Sequence, residues 1–357
     1  MKGLLLAGGH GTRLRPLTFT GNKHMVPIAN EPMLFYGLRH LAAAGIKEVA
    51  IILGPIREGI SDVVGDGHAF GVKVTYITQG DPKGLAHAVL CAREFLGDDP
   101  FVMYLGDNVL QDGVQPLVAR FEATSPDAVI GVTPVRNPSS YGVVELAGDK
   151  IVSIVEKPPN PVSNLALIGV YLFTPAVHDI IARLQPSARG ELEITEAIWQ
   201  LHQTGRHIEV LKVGGWWKDT GRPSDLIEAN ELILRTRDAK EFRVDGEVAP
   251  GAEITGKVSI GPGSFIAPGA RIEGPSVIGS GVRIEAGSRI GPSTSLGDHC
   301  VIRGSTIRNS IIMQSTVVEG PVRVSDTIIG RGSRVRARTD RGVELSCILG
   351  DSSQLEL

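Results

Sequence analysis

Short apolar runs alternate with amphipathic stretches through the first two thirds of the chain. The runs lie at residues 4–7, 49–53, 72–77, 101–105 and 128–132. Such runs predict strands, and the first, Leu4 to Ala7, reads as a buried one. Between them, residues 33–44 and 85–95 repeat apolar positions at helical spacing. The alternation predicts an α/β layer fold with a mostly parallel sheet. In such sheets ligands sit beyond the carboxyl ends of the strands, near a switch in strand order.

The last third follows another rule. From Val248 to Ile302 every sixth residue is aliphatic, and from Ile254 onward a small or modest side chain stands four residues later. Glycine and proline fill much of the rest. A strict six-residue period predicts a parallel β-helix, whose flat strands stack one aliphatic layer on the next. A disordered tail would be poor in β-branched residues and would lack the period. After Ile302 the phase slips, with Ile312 rather than Arg308 as the expected next inward position, and it resumes at Val318 and Val324. The chain is therefore divided into residues 1–240 and residues 241–357.

Composition narrows the choices. The 357 residues carry a net charge of −3, with 42% hydrophobic residues and three cysteines. That balance favours neither nucleic acid nor an anionic membrane, so anion binding has to be local. Cys91, Cys300 and Cys347 have no metal-ligand spacing, and their odd number suits a reducing compartment. No apolar run reaches membrane-spanning length, and Met1-Lys2-Gly3 leads straight into a core strand, so a cytoplasmic location is expected.

Candidate chemistry concentrates where the first strand ends. Leu6 and Ala7 run into Gly8, Gly9 and Gly11, then Thr12, Arg13 and Arg15, with Lys23 a short loop later. Small residues let backbone N–H groups approach a ligand closely, and the cations favour phosphate. The stretch is neither a Walker A sequence nor a full G-x-G-x-x-G, because Leu14 stands where the third glycine would be.

This opening, with Thr12-Arg13-Leu14, Pro16 and Lys23…Pro27, resembles the sugar-nucleotide pyrophosphorylases, the sugar-1-phosphate nucleotidylyltransferases. Further blocks are similar to their glucose-1-phosphate thymidylyltransferase branch: Gln79…Gly84-Leu-Ala-His, Leu105-Gly-Asp-Asn108, Tyr141-Gly142, Glu156-Lys157-Pro158, Gly190-Glu-Leu-Glu-Ile-Thr-Glu196 and Trp217-Lys-Asp-Thr-Gly221. The resemblance covers nearly all of residues 1–236. The added hexapeptide repeats look like the long form of that branch. It implies a Rossmann-like nucleotidyltransferase domain followed by a left-handed parallel β-helix. It also implies a reaction in which a sugar 1-phosphate attacks the α-phosphate of a nucleoside triphosphate.

Carried over block by block, the resemblance implies roles. Leu6, Ala7, Gly8, Gly9, Gly11, Thr12 and Arg13 would bind the nucleotide, with Gln79 and Gly84 on the base. A glutamine amide offers a donor and an acceptor to the edge that thymine and uracil share. Arg13 and Lys23 would neutralise phosphate charge. Asp107 and Asp219 would hold Mg²⁺, a hard cation that also takes phosphate oxygens and water. Read alone, Gly106-Asp107 is equally a simple turn. Lys157 would hold the sugar phosphate, with Gly142, Glu156 and Glu191 on the sugar. Adjacent strand residues point to opposite faces, so Glu156 and Lys157 can meet one ligand only if the chain bends there, as Pro158 and Pro159 suggest.

Three functions fit these residues. The leading one is Mg²⁺-dependent synthesis of dTDP-glucose from dTTP and glucose 1-phosphate, with a UTP-dependent pyrophosphorylase as its rival. The second adds an acyltransferase in the tail, with His299 as base. The third makes the tail an assembly and stability device for a homo-oligomer, so that deleting it would leave nucleotidyl transfer measurable.

Overall fold

The computed structural model describes residues 1–54, 59–338 and 342–357. It divides into two compact units. One comprises Met1–His10 and Leu34–Asp219, the other Gly11–Met33 and Thr220–Leu357.

The first unit is built on a nine-stranded sheet. Its strands are β1 (Lys2–Ala7), β2 (Glu48–Leu53), β3 (Lys73–Thr78), β4 (Phe101–Leu105), β6 (Ala128–Pro134), β7 (Gly142–Ala147), β8 (Lys150–Glu156), β9 (Leu165–Phe173) and β10 (Ile208–Lys212). A separate two-stranded ladder pairs β5 (Asn108–Leu110) with β11 (Trp217–Asp219). The order β4-β1-β2-β3 is all parallel. Beyond β4 the sheet turns antiparallel through β9, and β10 pairs parallel to β6. Leu4, Leu5, Ala50, Ile51, Phe101 and Val102 are fully buried, as runs without polar interruption require. The helical pattern at 85–95 is split into Leu85–Cys91 and Arg93–Leu96.

In the second unit the six-residue period becomes three parallel sheets, each coil contributing one strand to each sheet of a left-handed β-helix. Val248, Ile266, Ile284 and Ile302 stack in one sheet, Ile254, Ile272 and Ile290 in the second, and Ile260, Ile278 and Leu296 in the third. The small residues four positions on fill the corners: Ser264, Ala270, Ser276, Val282, Ser288 and Cys300 are each 1% exposed or less. The slip after Ile302 has a specific form. Ile307, not Ile312, is the next inward residue and stacks on Ile290, and Ile312 stacks on Leu296. Both steps are five residues long, so the corners there are one residue shorter, and Ser305 rather than Thr306 takes the buried corner.

The same unit holds the segment Gly11–Met33 and the helix Pro223–Thr236. The segment has only two short 3₁₀ turns, Thr12–Leu14 and Lys23–Met25, and a hairpin of Pro27–Ile28 with Glu31–Pro32.

Candidate active site

In the first unit, sheet register sets the candidate groups side by side. Leu6 pairs with Leu105, and the Gly106 amide donates to the Leu6 carbonyl at 2.9 Å. The two chains leave the sheet together, one through Ala7 and Gly8, the other through Asp107. From Asp107 the chain enters the β5/β11 ladder, where Asp219 lies opposite Asn108. Asp107, in the turn just ahead of that ladder, and Asp219, within it, thus lie at adjoining backbone positions although they are far apart in sequence.

The turn is locked from below. Asn108 is 2% exposed; its Nδ2 donates to Asp107 Oδ1 at 3.2 Å, and its Oδ1 accepts from Trp217 Nε1 at 2.6 Å. The Tyr104 hydroxyl donates to the Asn108 carbonyl and is bonded to His40 Nδ1, each at 3.1 Å. Burial first, and then Arg39, pulls the His40 pKa down to about 4, so the imidazole is neutral near pH 7. Trp217 is therefore a wall and a donor, and its ring packs edge-on against Tyr141 with centroids 5.4 Å apart.

Gly8 also meets the base candidate. A Cβ on Gly8 would come within 2.9 Å of Gln79 Oε1, and a Cβ on Gly54 would strike the Gly8 carbonyl. No side chain but hydrogen fits between these two backbones. The Gln79 amide is oriented by Nε2, which donates to the Gly84 carbonyl at 3.1 Å and to His87 Nδ1 at 3.2 Å. Accepting at Nδ1 requires a neutral His87, and burial and Lys83 lower its pKa accordingly. Gly84, at φ +103°, is pressed against Leu192, which ties the base side to the 190–196 block.

Glu156 lies opposite Gly142 in the β7/β8 ladder. The next residue, Lys157, takes φ +43°, and its amide donates to the Tyr141 carbonyl. That left-handed kink is the bend that adjacent residues need, and it brings Lys157 Nζ to 3.3 Å from Glu156 Oε1. Arg189 bonds Glu156 and Glu193 at 3.3 Å each and Glu191 at 3.0 Å. Sequence reasoning missed Arg189 and Glu193. Glu193 is the buried member: Ser187 Oγ donates to it at 2.9 Å, and burial raises its pKa. It stands at the position before the helix Ile194–Gln203 but makes no side-chain cap bond there, its carboxylate being engaged by Ser187 and Arg189 instead. Beside it, Thr195 carries a buried hydroxyl without a hydrogen-bond partner, and its methyl would meet a Cβ on Gly142. A cavity of about 430 Å³ is lined in part by Glu156, Ser187, Glu193 and Thr195.

The remaining candidates lie in the second unit. Gly11, at φ +64°, has no room for a side chain, since a Cβ would come within 2.9 Å of Lys23 Cβ. Thr18 Oγ1 bonds the Gly11 carbonyl at 2.8 Å. Thr12 and Arg13 are exposed, as are Gly9 and His10 in the first unit, and Lys23 is half-buried. Arg15 lies over the exposed Phe19 ring, 5.3 Å from its centroid. His24 is buried and bonded to Asn22 Oδ1 at 2.8 Å. His299 sits at a coil corner at φ +59°, seated where a Cβ on Gly281 would be.

The residues suit a magnesium ion. Mg²⁺ is usually held by one or two carboxylates plus substrate phosphate oxygens and water. Among the described residues no group of three or more His, Cys, Asp or Glu converges; Asp107 and Asp219, next to one another across the β5/β11 pairing, are two carboxylates of the kind that would fit such an ion. Among the same residues no helix is long and apolar enough to cross a membrane.

Residues 2–236 match the family described as Nucleotidyl transferase, and residues 272–356 match the GMPPB C-terminal domain. The chain is similar to the low-salt glycan biosynthesis nucleotidyltransferase Agl11 of Haloferax volcanii, 47% identical over 100% of both chains. It is similar to a glucose-1-phosphate thymidylyltransferase of Streptomyces griseus, 44% identical over 100% of this chain and 99% of that one. A crystal structure from Bacillus anthracis, described as a putative glucose-1-phosphate thymidylyltransferase in complex with a sucrose, superposes with a TM-score of 0.62. It is 37% identical and covers 65% of this chain and 94% of its own.

Proposed function

The chain belongs to the nucleotidyl transferase family, and from that premise we propose that it makes dTDP-glucose and pyrophosphate from dTTP and glucose 1-phosphate. The observation that carries the reading is the shared exit of Gly8 and Asp107 from paired strands, with Asp219 opposite Asn108. Catalysis is assigned to residues 1–240, and residues 241–357 form the solenoid of a cytoplasmic homo-oligomer.

The sugar phosphate oxygen is anionic at neutral pH and needs no base. It attacks the α-phosphorus, and the bond to the bridging oxygen breaks as pyrophosphate leaves. Such a step needs alignment and charge neutralisation above all. The N–H groups of the Gly8–Thr12 turn cradle the triphosphate. Arg13 forks onto the β- and γ-phosphates, and Lys23 offsets charge at the α-phosphate. Divalent-metal use is general in the family; Asp107 and Asp219 would hold Mg²⁺, which supplies Lewis-acid neutralisation of the triphosphate. Lys157 holds the incoming phosphate, and Gly142, Glu156 and Glu191 read the sugar. Arg189, bridging three glutamates, keeps those carboxylates in place. Both Gln79 amide protons are engaged, so its Oε1 accepts from N3–H of the pyrimidine, an edge that thymine and uracil share.

A pyrophosphate-release panel crossing dTTP, UTP, ATP, CTP and GTP with several sugar 1-phosphates tests this. The highest kcat/KM is expected for dTTP with glucose 1-phosphate. A preference for UTP would move the enzyme to uridylyl transfer, and silence across the panel would end the assignment.

A further inference from the structure

Lys23 sits between two anchors that the solenoid supplies. Thr20, three residues before it, donates from Oγ1 to Asp351 Oδ2 at 2.7 Å. Met25, two residues after it, accepts at its carbonyl from Arg331 Nη2 at 3.0 Å. Arg331 and Asp351 are themselves joined. The Arg331 amide donates to Asp351 Oδ1 at 2.7 Å, and the side chains form an ion pair at 3.6 Å. One pair on neighbouring coils therefore grips the Lys23 segment from both sides.

A second grip holds the hairpin that follows. Its tip residues Ala29 and Asn30 have φ of +49° and +65°, the left-handed pair that a type I′ turn demands. Such a conformation is unfavourable for alanine, so the surroundings must hold it. The Ala29 amide donates to Asn230 Oδ1 at 2.9 Å, and Asn30 Nδ2 donates to the Leu296 carbonyl. Asn230, on the helix Pro223–Thr236, is fully buried; it also accepts from Ser295 Oγ and donates to the Ser293 carbonyl. These bonds use backbone and side-chain groups of coils that the repeat alone does not require.

We propose that the Arg331–Asp351 pair is a positioning device for Lys23, and that the C-terminal coils are thereby a working part of nucleoside triphosphate recognition. This rests on the reading that Lys23 contacts the triphosphate. It replaces the picture of the tail as an assembly device alone.

The test uses the full-length protein and steady-state pyrophosphate release with dTTP and glucose 1-phosphate. Losing one such hydrogen bond is expected to raise the dTTP KM by about five- to tenfold in Arg331→Ala and about threefold in Thr20→Val. The glucose 1-phosphate KM is expected to move by less than about twofold, because that substrate touches neither Lys23 nor its anchors. Thr20→Ser, which keeps the hydroxyl, restores the wild-type value. Amide hydrogen exchange across residues 21–26 of Arg331→Ala should speed up while the sheet of the first unit is unchanged. Unaltered dTTP KM in both variants, or an equal rise for both substrates with a lowered melting temperature, overturns the proposal while leaving the enzyme assignment intact. A wild-type protein silent with every triphosphate fails the assignment, and this inference with it.

Discussion

The two units hold their candidate site residues by different mixtures of burial and directional bonding. In the first, Gly8 and Asp107 are placed by strands whose side chains are wholly buried: Leu4 and Leu5 beneath one, Phe101 and Met103 beneath the other. Each such side chain stabilises its strand by about 1.5–3 kcal/mol, and the effect does not depend on angle. In the second, the segment carrying Arg13 and Lys23 has almost no regular structure; it buries Leu14, Leu17, Val26 and Ile28, and single polar bonds from Asn230, Arg331 and Asp351 fix it further. Each is worth about 1 kcal/mol net, but only in one geometry. Burial decides where a chain runs; directional bonds decide how a side chain is aimed. Removing a charged group at a strand end of the first unit should therefore cost rate, whereas displacing the glycine turn or loosening the fastenings should tune affinity.

The sharpest way to break this contrast is Asp107→Asn. The amide oxygen can still accept from Asn108 Nδ2, so the turn is kept and only the charge is lost. The rate should fall about 10²–10³-fold, the range seen when one preorganised electrostatic group is removed from a site. Pyrophosphate release with matched circular dichroism checks it, and a rate within threefold of wild type would take Asp107 out of the site.

Next in size is a fold effect confined to the solenoid. Ile284 is fully exposure-free in the middle of its stack, between Ile266 and Ile302. Ile284→Ala should cost about 2–5 kcal/mol. In a one-dimensional stack the loss falls on the neighbouring coils first. Denaturation followed by hydrogen exchange should show those coils opening early while β1 and β4 remain protected.

A smaller effect is expected at Gly54. Its added Cβ would meet the Gly8 carbonyl, so Gly54→Ala must displace the glycine turn. The dTTP KM should rise about tenfold, the result of misplacing a few backbone donors. Gly21→Ala is the counterpart in the fastened segment, where a Cβ meets nothing within 4 Å. Its KM should stay within about twofold. Equal effects at the two glycines would erase the distinction between the regions.

Much of this was legible in the sequence because burial leaves a period. The apolar runs at 4–7 and 101–105 became β1 and β4, and the aliphatic sixths became the stacked layers. What the period could not report was a change in its own count. Two five-residue corners shifted the inward position to Ile307, where counting in sixes pointed to Arg308. The proline pair correctly suggested a bend after Glu156, but not that Lys157 itself would carry it at positive φ. Arg189 was hidden because Glu156, 33 residues away in sequence, meets it only in three dimensions. Likewise the link from residues 20–30 to the coils runs through side chain–backbone bonds more than 200 residues apart in sequence, which leave no pattern along the chain.

The smallest expected effect concerns a buried group that the chemistry does not use. His178 packs face-on against Phe101, with ring centroids 5.6 Å apart, and neither ring nitrogen has a hydrogen-bond partner. Burial, and then Arg93, pulls its pKa down to about 4, and His40 is lowered to about 4 as well. Unfolded, each histidine takes up a proton near pH 6.5; folded, neither does so until about pH 4. Between those values the unfolded chain binds more protons, so stability falls as pH drops through the window and is fully present above it. His178→Phe removes two unpartnered nitrogens and keeps the stacking. It should raise stability at pH 7 by about 1 kcal/mol and flatten the melting temperature between pH 6.5 and pH 4, leaving the His40 share. Because His178 supports β4 through Phe101 by burial alone, the dTTP KM at pH 7 should not move; a shifted KM would mean that the sheet aims its loops less independently of its core than the comparison requires.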